Sequence, residues 1–174
     1  MEIAGTIIIM LVCLLLEGFF SGSEIAVVSA DQMKLRHEAA KGSTGAKLAL
    51  RMLKKPEWLL STTLVGTNIM VVANTTIATA LAIHLFGESY SWLAIVCMSP
   101  LIWIFGEIVP KSVFQHGADT ITPRAIFFLR FASYVFFPIL IVFTFLARLL
   151  DKMTGGQSQN PFTLREEIIT MLQM

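Results

Sequence analysis

The stretch IAGTIIIMLVCLLLEGFFSGSEIAVVS, Ile3 to Ser29, decides the fold. A membrane-crossing helix needs about 20 mostly apolar residues. This run is longer than that, and its only charged residues are Glu17 and Glu24. It lacks a basic leading region and is too long for the apolar part of a signal peptide, so it reads as a retained span. Working outward, three more apolar blocks follow: Trp58 to Phe86, Trp92 to Val109, and Ala125 to Leu150. The composition of the 174 residues agrees: 55% are apolar and 14% charged, against roughly 25% charged in soluble domains. Mean hydropathy is +0.73. These figures exclude a disordered chain, a collagen, a nucleic-acid-binding domain and a disulfide scaffold. Cys13 and Cys97 fall inside apolar stretches and are expected to be buried free thiols, with no CxxC or Cys/His cluster to hold zinc or haem.

The basic residues orient the chain. Lys34, Arg36, Lys41, Lys47, Arg51, Lys54 and Lys55 all lie between Asp31 and Glu57, seven of the thirteen Lys and Arg. The positive-inside rule places this connection in the cytoplasm and the N-terminus outside. The turn from Phe86 to Trp92 has no Lys or Arg and belongs outside. The third block then returns inward and ends at Pro110-Lys111. The fourth block has two readings. As a span it puts the C-terminus outside; as an interfacial helix, kinked at Pro138, it leaves the C-terminus inside. Arg124, Arg130, Arg148 and Lys152 at its two ends favour the interfacial reading.

Met33 to Leu53 reads as a helical hairpin at the membrane surface, broken at Gly42-Ser43-Thr44-Gly45. Residues 1–153 then make a membrane domain. Residues 154–174 make a polar linker and the start of a cytoplasmic helix, with a capping box from Thr163 to Glu166. A helix beginning there points to a further soluble part.

Polar groups inside the spans need a partner or a task. Glu17, Ser21 and Glu24 share one helical face at i, i+4, i+7. Ser23 lies off that face and joins Ser21 only if the helix loosens at Gly22. The group reads either as an oxygen-rich ion site or as small-residue packing, with Ser bonding the preceding turn. In the second block Asn68 follows Gly66 and Thr67 closely and reads as a ligand. Asn74 reads as an interhelical hydrogen bond or a further ligand. The third block ends Phe105-Gly106-Glu107-Ile108-Val109-Pro110-Lys111. Pro110 has no N–H, which frees the carbonyl four residues back, that of Gly106, beside the Glu107 carboxylate. The competing reading is an ordinary helix end with Glu107 paired to Lys111. No nucleophile–base pair and no phosphate-binding loop is present, so the chain is not read as an enzyme. Hydroxyl, amide, carboxylate and carbonyl oxygens suit Mg²⁺, Ca²⁺ or Na⁺ and disfavour soft metals.

Three stretches occur in order: Phe19-Phe20-Ser21-Gly22-Ser23-Glu24, then Leu59-Leu60-Ser61-Thr62 through Gly66-Thr67-Asn68, then Phe105 to Lys111. Together they resemble the transmembrane domain of the CNNM/CorC magnesium transporters. The resemblance implies an all-α membrane protein with three crossing helices, a cytoplasmic helical hairpin and a juxtamembrane belt helix. It assigns the fourth block to the belt and the C-terminus to the cytoplasm, in a plasma or bacterial inner membrane. It also implies a homodimer in the bilayer that exports Mg²⁺ coupled to Na⁺ entry, with ATP binding confined to paired CBS domains beyond this chain. By position the Mg²⁺ ligands would be Ser21, Ser23, Asn68 and Glu107, with Gly66 and Gly106 as backbone donors. Glu24, Thr67 and Asn74 are further candidates, and Gly22 and Pro110 the expected helix breaks. This chain departs from the family in having Thr67 where Asn commonly follows the glycine. Two other functions fit the same residues: a membrane scaffold or regulatory subunit with a structural cation, and a passive divalent-cation channel.

Overall fold

The first apolar run forms α1, Ile3–Ser29, which continues without interruption. The chain turns at Asp31, whose carboxylate accepts from the Met33 N–H at 2.8 Å and caps α2, Gln32–Ala40. Such a cap satisfies one of the orphan donors at a helix start. Gly42 adopts φ +101°, a left-handed conformation that glycine accommodates without a Cβ penalty. Ser43 then caps α3, Thr44–Leu53, accepting from Ala46 N–H at 3.3 Å. Pro56 opens α4, Pro56–Phe86, in the first turn where its missing N–H costs nothing. A 3₁₀ turn at Glu88–Tyr90 leads to the third span. That span comprises α5, Ser91–Leu101, a π-helical stretch Ile102–Ile108, and α6, Val109–His116. The last described helix of this unit is α7, Ala118–Val135.

These positions come from a computed structural model that describes residues 3–142. The linker from residue 154, the Thr163 capping box and the end of the fourth block lie outside the described residues. Residues up to Phe137 form one compact unit and those from Pro138 a second, of which residues 138–142 are described, as helix. All elements among the described residues are helical.

Three helical runs are long and apolar enough to cross a membrane: Ile3–Ser29, Pro56–Phe86 and Glu88–His116. Their flanks carry exposed Ile8, Leu11, Leu15, Val72, Ile95 and Trp103. Apolar exposure on that scale marks contact with lipid or another chain rather than water. α7 is not among the spans. It packs against α1, α3 and α4 together and takes the belt position, starting at Ala118 rather than at Ala125.

Both expected helix breaks are corrected. α1 runs straight through Gly22, and Ser21 and Ser23 are nevertheless both buried. The reason is enclosure on several sides, since α1 touches α4, α6, α7 and the π-helical stretch. At Pro110 the helix also continues. The irregularity sits before it, where the Val109 N–H donates to the Ile104 carbonyl, five residues back. A widened turn of this kind absorbs the disruption within the helix and recurs at functional sites. Cys13 is buried as expected, whereas Cys97 is exposed on the third span; both are free.

Two apolar cores hold the unit together. One joins Phe20, Ala26 and Val27 of α1 to Leu35, Ala46, Ala49, Leu59, Ile126 and Leu129, tying the hairpin to α4 and α7. The other brings Ala78 and Ala82 of α4 against Ala94, Met98 and Ile102. Small residues at such contacts let backbones approach closely where lipid supplies no hydrophobic drive.

Candidate cation site

α1 and the third span run parallel, in a seam made by glycines. Glu17 lies against Gly106, Gly18 against Pro110, and Gly22 against Phe114. A Cβ added at Gly18 would come within 2.8 Å of Pro110 Cγ, and one at Gly22 within 2.7 Å of the Phe114 ring. On the α4 side, a Cβ at Gly66 would lie 2.6 Å from the Phe20 ring. Gly22, Gly66 and Gly106, all buried, are therefore packing seats that bring three helices together around the middle of α1.

The polar atoms in these helices divide sharply. Thr62, Thr63, Thr75, Thr76, Thr79 and Ser99 each donate a hydroxyl to a carbonyl one turn back in their own helix, at 2.7–2.8 Å. That is the ordinary way a hydroxyl is accommodated in a span. Ser21 and Ser23 do otherwise: both are fully buried and neither Oγ has a hydrogen-bond partner. Both carboxylate oxygens of Glu17, at 0% exposure, are also without a partner. So are the Thr67 hydroxyl and both amide atoms of the buried Asn74. Thr67 and Asn74 are seven residues apart and share a face of α4.

The remaining candidates sit differently. Asn68 is exposed, and its Nδ2 donates to the Leu64 carbonyl at 2.8 Å. Glu107 is half-buried, with Oε1 3.7 Å from Lys111 Nζ. Glu24 is half-buried and within Coulombic reach of Lys111 and Glu107. Thus the structure buries Ser21 and Ser23 within the helix packing, sets Glu17 against Gly106, and leaves Asn68 and Glu107 engaged with their own helices.

Glu17 is the residue that the family-based ligand set lacks. Its signal was present in the sequence, since it stands one turn before Ser21 on the same face. Among the described residues no three His, Cys, Asp or Glu side chains gather as a metal cluster. Any cation held here would need hydroxyl, amide or backbone oxygens beside a carboxylate, which is hard-cation chemistry.

Outside the spans the electrostatics is conventional. Asp119, in the first turn of α7, accepts from Lys34 Nζ at 2.7 Å and from the Asp31 N–H at 2.8 Å. The Lys34 hydrogen bond, then the Asp31 amide, hold the Asp119 carboxyl below its ordinary value of 3.8. The same hydrogen bond, then the Asp119 charge, raises Lys34 above 10.5.

Comparison with known proteins places the chain. It is 30% identical over 148 residues to a UPF0053 protein of Haemophilus influenzae, an alignment covering 85% of this chain and 35% of that one. It is 26% identical to the inner membrane protein YfjD of Escherichia coli, covering 80% and 33% respectively. It is 32% identical to Protein MAM3 of Saccharomyces cerevisiae, covering 85% and 20%. The chain therefore spans about a third or less of the length of these relatives. Residues 8–174 match the family described as Cyclin M transmembrane N-terminal domain. With its three spans, this chain is a multi-pass membrane protein that belongs to the CNNM transmembrane-domain family.

Proposed function

We propose that this chain is the membrane domain of a Mg²⁺ transporter that exports Mg²⁺ by alternating access, coupled to Na⁺ entry. One observation carries the reading: Ser21 and Ser23 are buried and unpartnered, whereas Thr62, Thr63, Thr75, Thr76, Thr79 and Ser99 in the other spans bond their own helices. An unsatisfied buried polar group costs about 1–3 kcal/mol. Each leaves oxygen lone pairs unused inside the helix packing, and a hard cation is a partner that accepts them.

In the bound state Ser21 and Ser23 would supply hydroxyl oxygens, and Gly66 and Gly106 backbone oxygens. Glu107 would supply the carboxylate and Asn68 an amide oxygen. Glu107 would first leave Lys111, and Asn68 would leave the Leu64 carbonyl. Binding is then tied to a rearrangement at the end of the third span, and the π-helical turn at Ile102–Ile108 is the natural place for it. The hairpin faces the cytoplasm on the charge argument, with the N-terminus outside and the C-terminus inside. A homodimer would cover part of the exposed apolar surface, and ATP would act on cytoplasmic domains outside this chain.

The Glu107–Lys111 pair favours a second reading, in which the carboxylate is an ordinary helix-end partner and the bound cation is structural. Mg²⁺ flux in proteoliposomes separates them, measured with and without a Na⁺ gradient for the full-length protein and Glu107→Ala. Na⁺-dependent flux that disappears in Glu107→Ala is the expected result. Mg²⁺ binding without flux supports the structural reading, and passive flux indifferent to Na⁺ a channel.

A further inference from the structure

Glu17 has no part in the ligand set above, yet it is the most isolated ionisable group in the described protein. It is fully buried, and neither carboxylate oxygen has a hydrogen-bond partner. No ammonium or guanidinium among the described residues bonds to it. A carboxylate taken out of water at membrane depth without a partner is costly, and such a residue marks an ion pathway by default. Its direction is defined. The carboxylate occupies the space a side chain at residue 106 would fill, and Oε1 is the first atom an added Cβ would meet. Gly106 thus leaves room for this acid next to Glu107, whose charge reaches Glu17. One turn further along α1, the unpartnered Ser21 hydroxyl lies on the same helical face.

The geometry points to Glu17 as a second carboxylate ligand of the cation beside Gly106, in addition to Glu107, so that the site carries two negative charges and prefers a divalent ion. This rests on the cation-transport reading above and deepens it by naming what sets selectivity. The physical reason is charge. Coulomb attraction scales with the product of charges. Removing one of two carboxylates therefore weakens a 2+ ion by twice as much as a 1+ ion. A site with Glu107 alone would offer Na⁺ and Mg²⁺ a much smaller difference.

The test is equilibrium binding of Mg²⁺ and of Na⁺ to the full-length protein in micelles, for wild type, Glu17→Gln, Glu17→Asp and Glu107→Gln. Glu17→Gln keeps the side-chain shape and removes the charge. It is expected to lose Mg²⁺ affinity by about ten- to hundredfold and Na⁺ affinity much less, so the preference collapses. Glu17→Asp keeps the charge and retains part of that preference, which a merely structural role would not produce. Gly106→Ala, whose Cβ intrudes on the carboxylate, moves selectivity the same way if Glu17→Gln does not fold. Unchanged Mg²⁺ and Na⁺ binding in Glu17→Gln, with loss in Glu107→Gln, overturns this inference and leaves the transport reading standing. Absence of Mg²⁺ binding in wild type overturns the transport reading itself.

Discussion

The seam between α1 and the third span and the seam between the hairpin and α7 are built alike and finished differently. Each depends on a glycine where a Cβ would collide with the facing element: Gly106 against Glu17 in one, Gly45 against the Pro123 carbonyl in the other. In the hairpin seam the charged groups find one another. Asp119 takes two hydrogen bonds, from Lys34 and from the Asp31 amide, and only the Thr122 hydroxyl of α7 is left buried without a partner. On α1 Glu17, which faces that seam, and the buried Ser21 and Ser23 stay unpartnered. The difference teaches where function sits. A polar contact that the protein completes by itself contributes to the fold. A polar contact left open in a low-dielectric region costs stability, and a bound ligand is what offsets it.

Replacing Glu17 by Leu presses hardest on this contrast. A buried, uncompensated charge exchanged for an apolar side chain of similar size should raise stability by on the order of 1–4 kcal/mol. Thermal unfolding in micelles would show a higher midpoint without Mg²⁺, and a smaller protection than in wild type when the same Mg²⁺ is added. A lower midpoint would mean that the protein already satisfies the carboxylate, and the two seams would cease to differ.

Gly45→Ala should do the reverse at the hairpin. Its Cβ is forced into the Pro123 backbone, and overpacking of that kind costs about 1–3 kcal/mol. The Mg²⁺-induced shift in the unfolding midpoint should survive, because the hairpin seam holds no ligand. Loss of that shift would show that the two seams act as one.

Ser21→Ala is a smaller perturbation with a telling sign. Deleting an unsatisfied hydroxyl should stabilise the ion-free protein by roughly 1 kcal/mol, while weakening Mg²⁺ protection. Thr62→Ala, in which the lost hydroxyl had its Trp58 carbonyl, should show neither effect. Equal behaviour of the two variants would remove the distinction between open and self-satisfied hydroxyls.

The weakest effect belongs to Asp119→Asn. The pair with Lys34 is largely exposed and screened by water, so the loss of stability should be small. Its pH dependence has a definite sign. Asp119 is held below 3.8 in the folded protein, so its contribution is present above that pH and fades as the pH falls through the folded value. The variant's deficit should therefore be visible near neutrality and vanish in acid. A deficit that grows in acid would contradict the assigned pairing.

Much of the architecture was legible before any coordinates. The spans follow from apolar length, and the hairpin from the break at Gly42-Ser43-Thr44-Gly45. The start of α7 was not, because Ala118 to Arg124 is mixed in polarity and lacks the apolar run that marks a membrane helix. Nor was the π-helical stretch. A proline predicts disruption, but whether the helix breaks or widens depends on what packs beside it, here Gly18 against Pro110. Cys97 illustrates the same limit: an apolar neighbourhood in sequence does not distinguish a protein-facing position from one on the outer surface of a span. At the site, the face shared by Glu17 and Ser21 was readable from spacing alone. That Ser23 is buried without any loosening of α1 was not, since it requires helices on more than one side.

The sequence by itself determined three segments long and apolar enough to cross the membrane, where the chain reverses between them, and which residue types bring oxygen into the apolar layer. These are consequences of length, period and local hydrogen bonding, which act over a few turns. Only the tertiary structure decided which of those oxygens are satisfied. A hydroxyl or carboxylate on a helix can bond its own backbone, a neighbouring helix or nothing. The outcome depends on how closely the other helices approach, and that is set here by glycines far away in the chain.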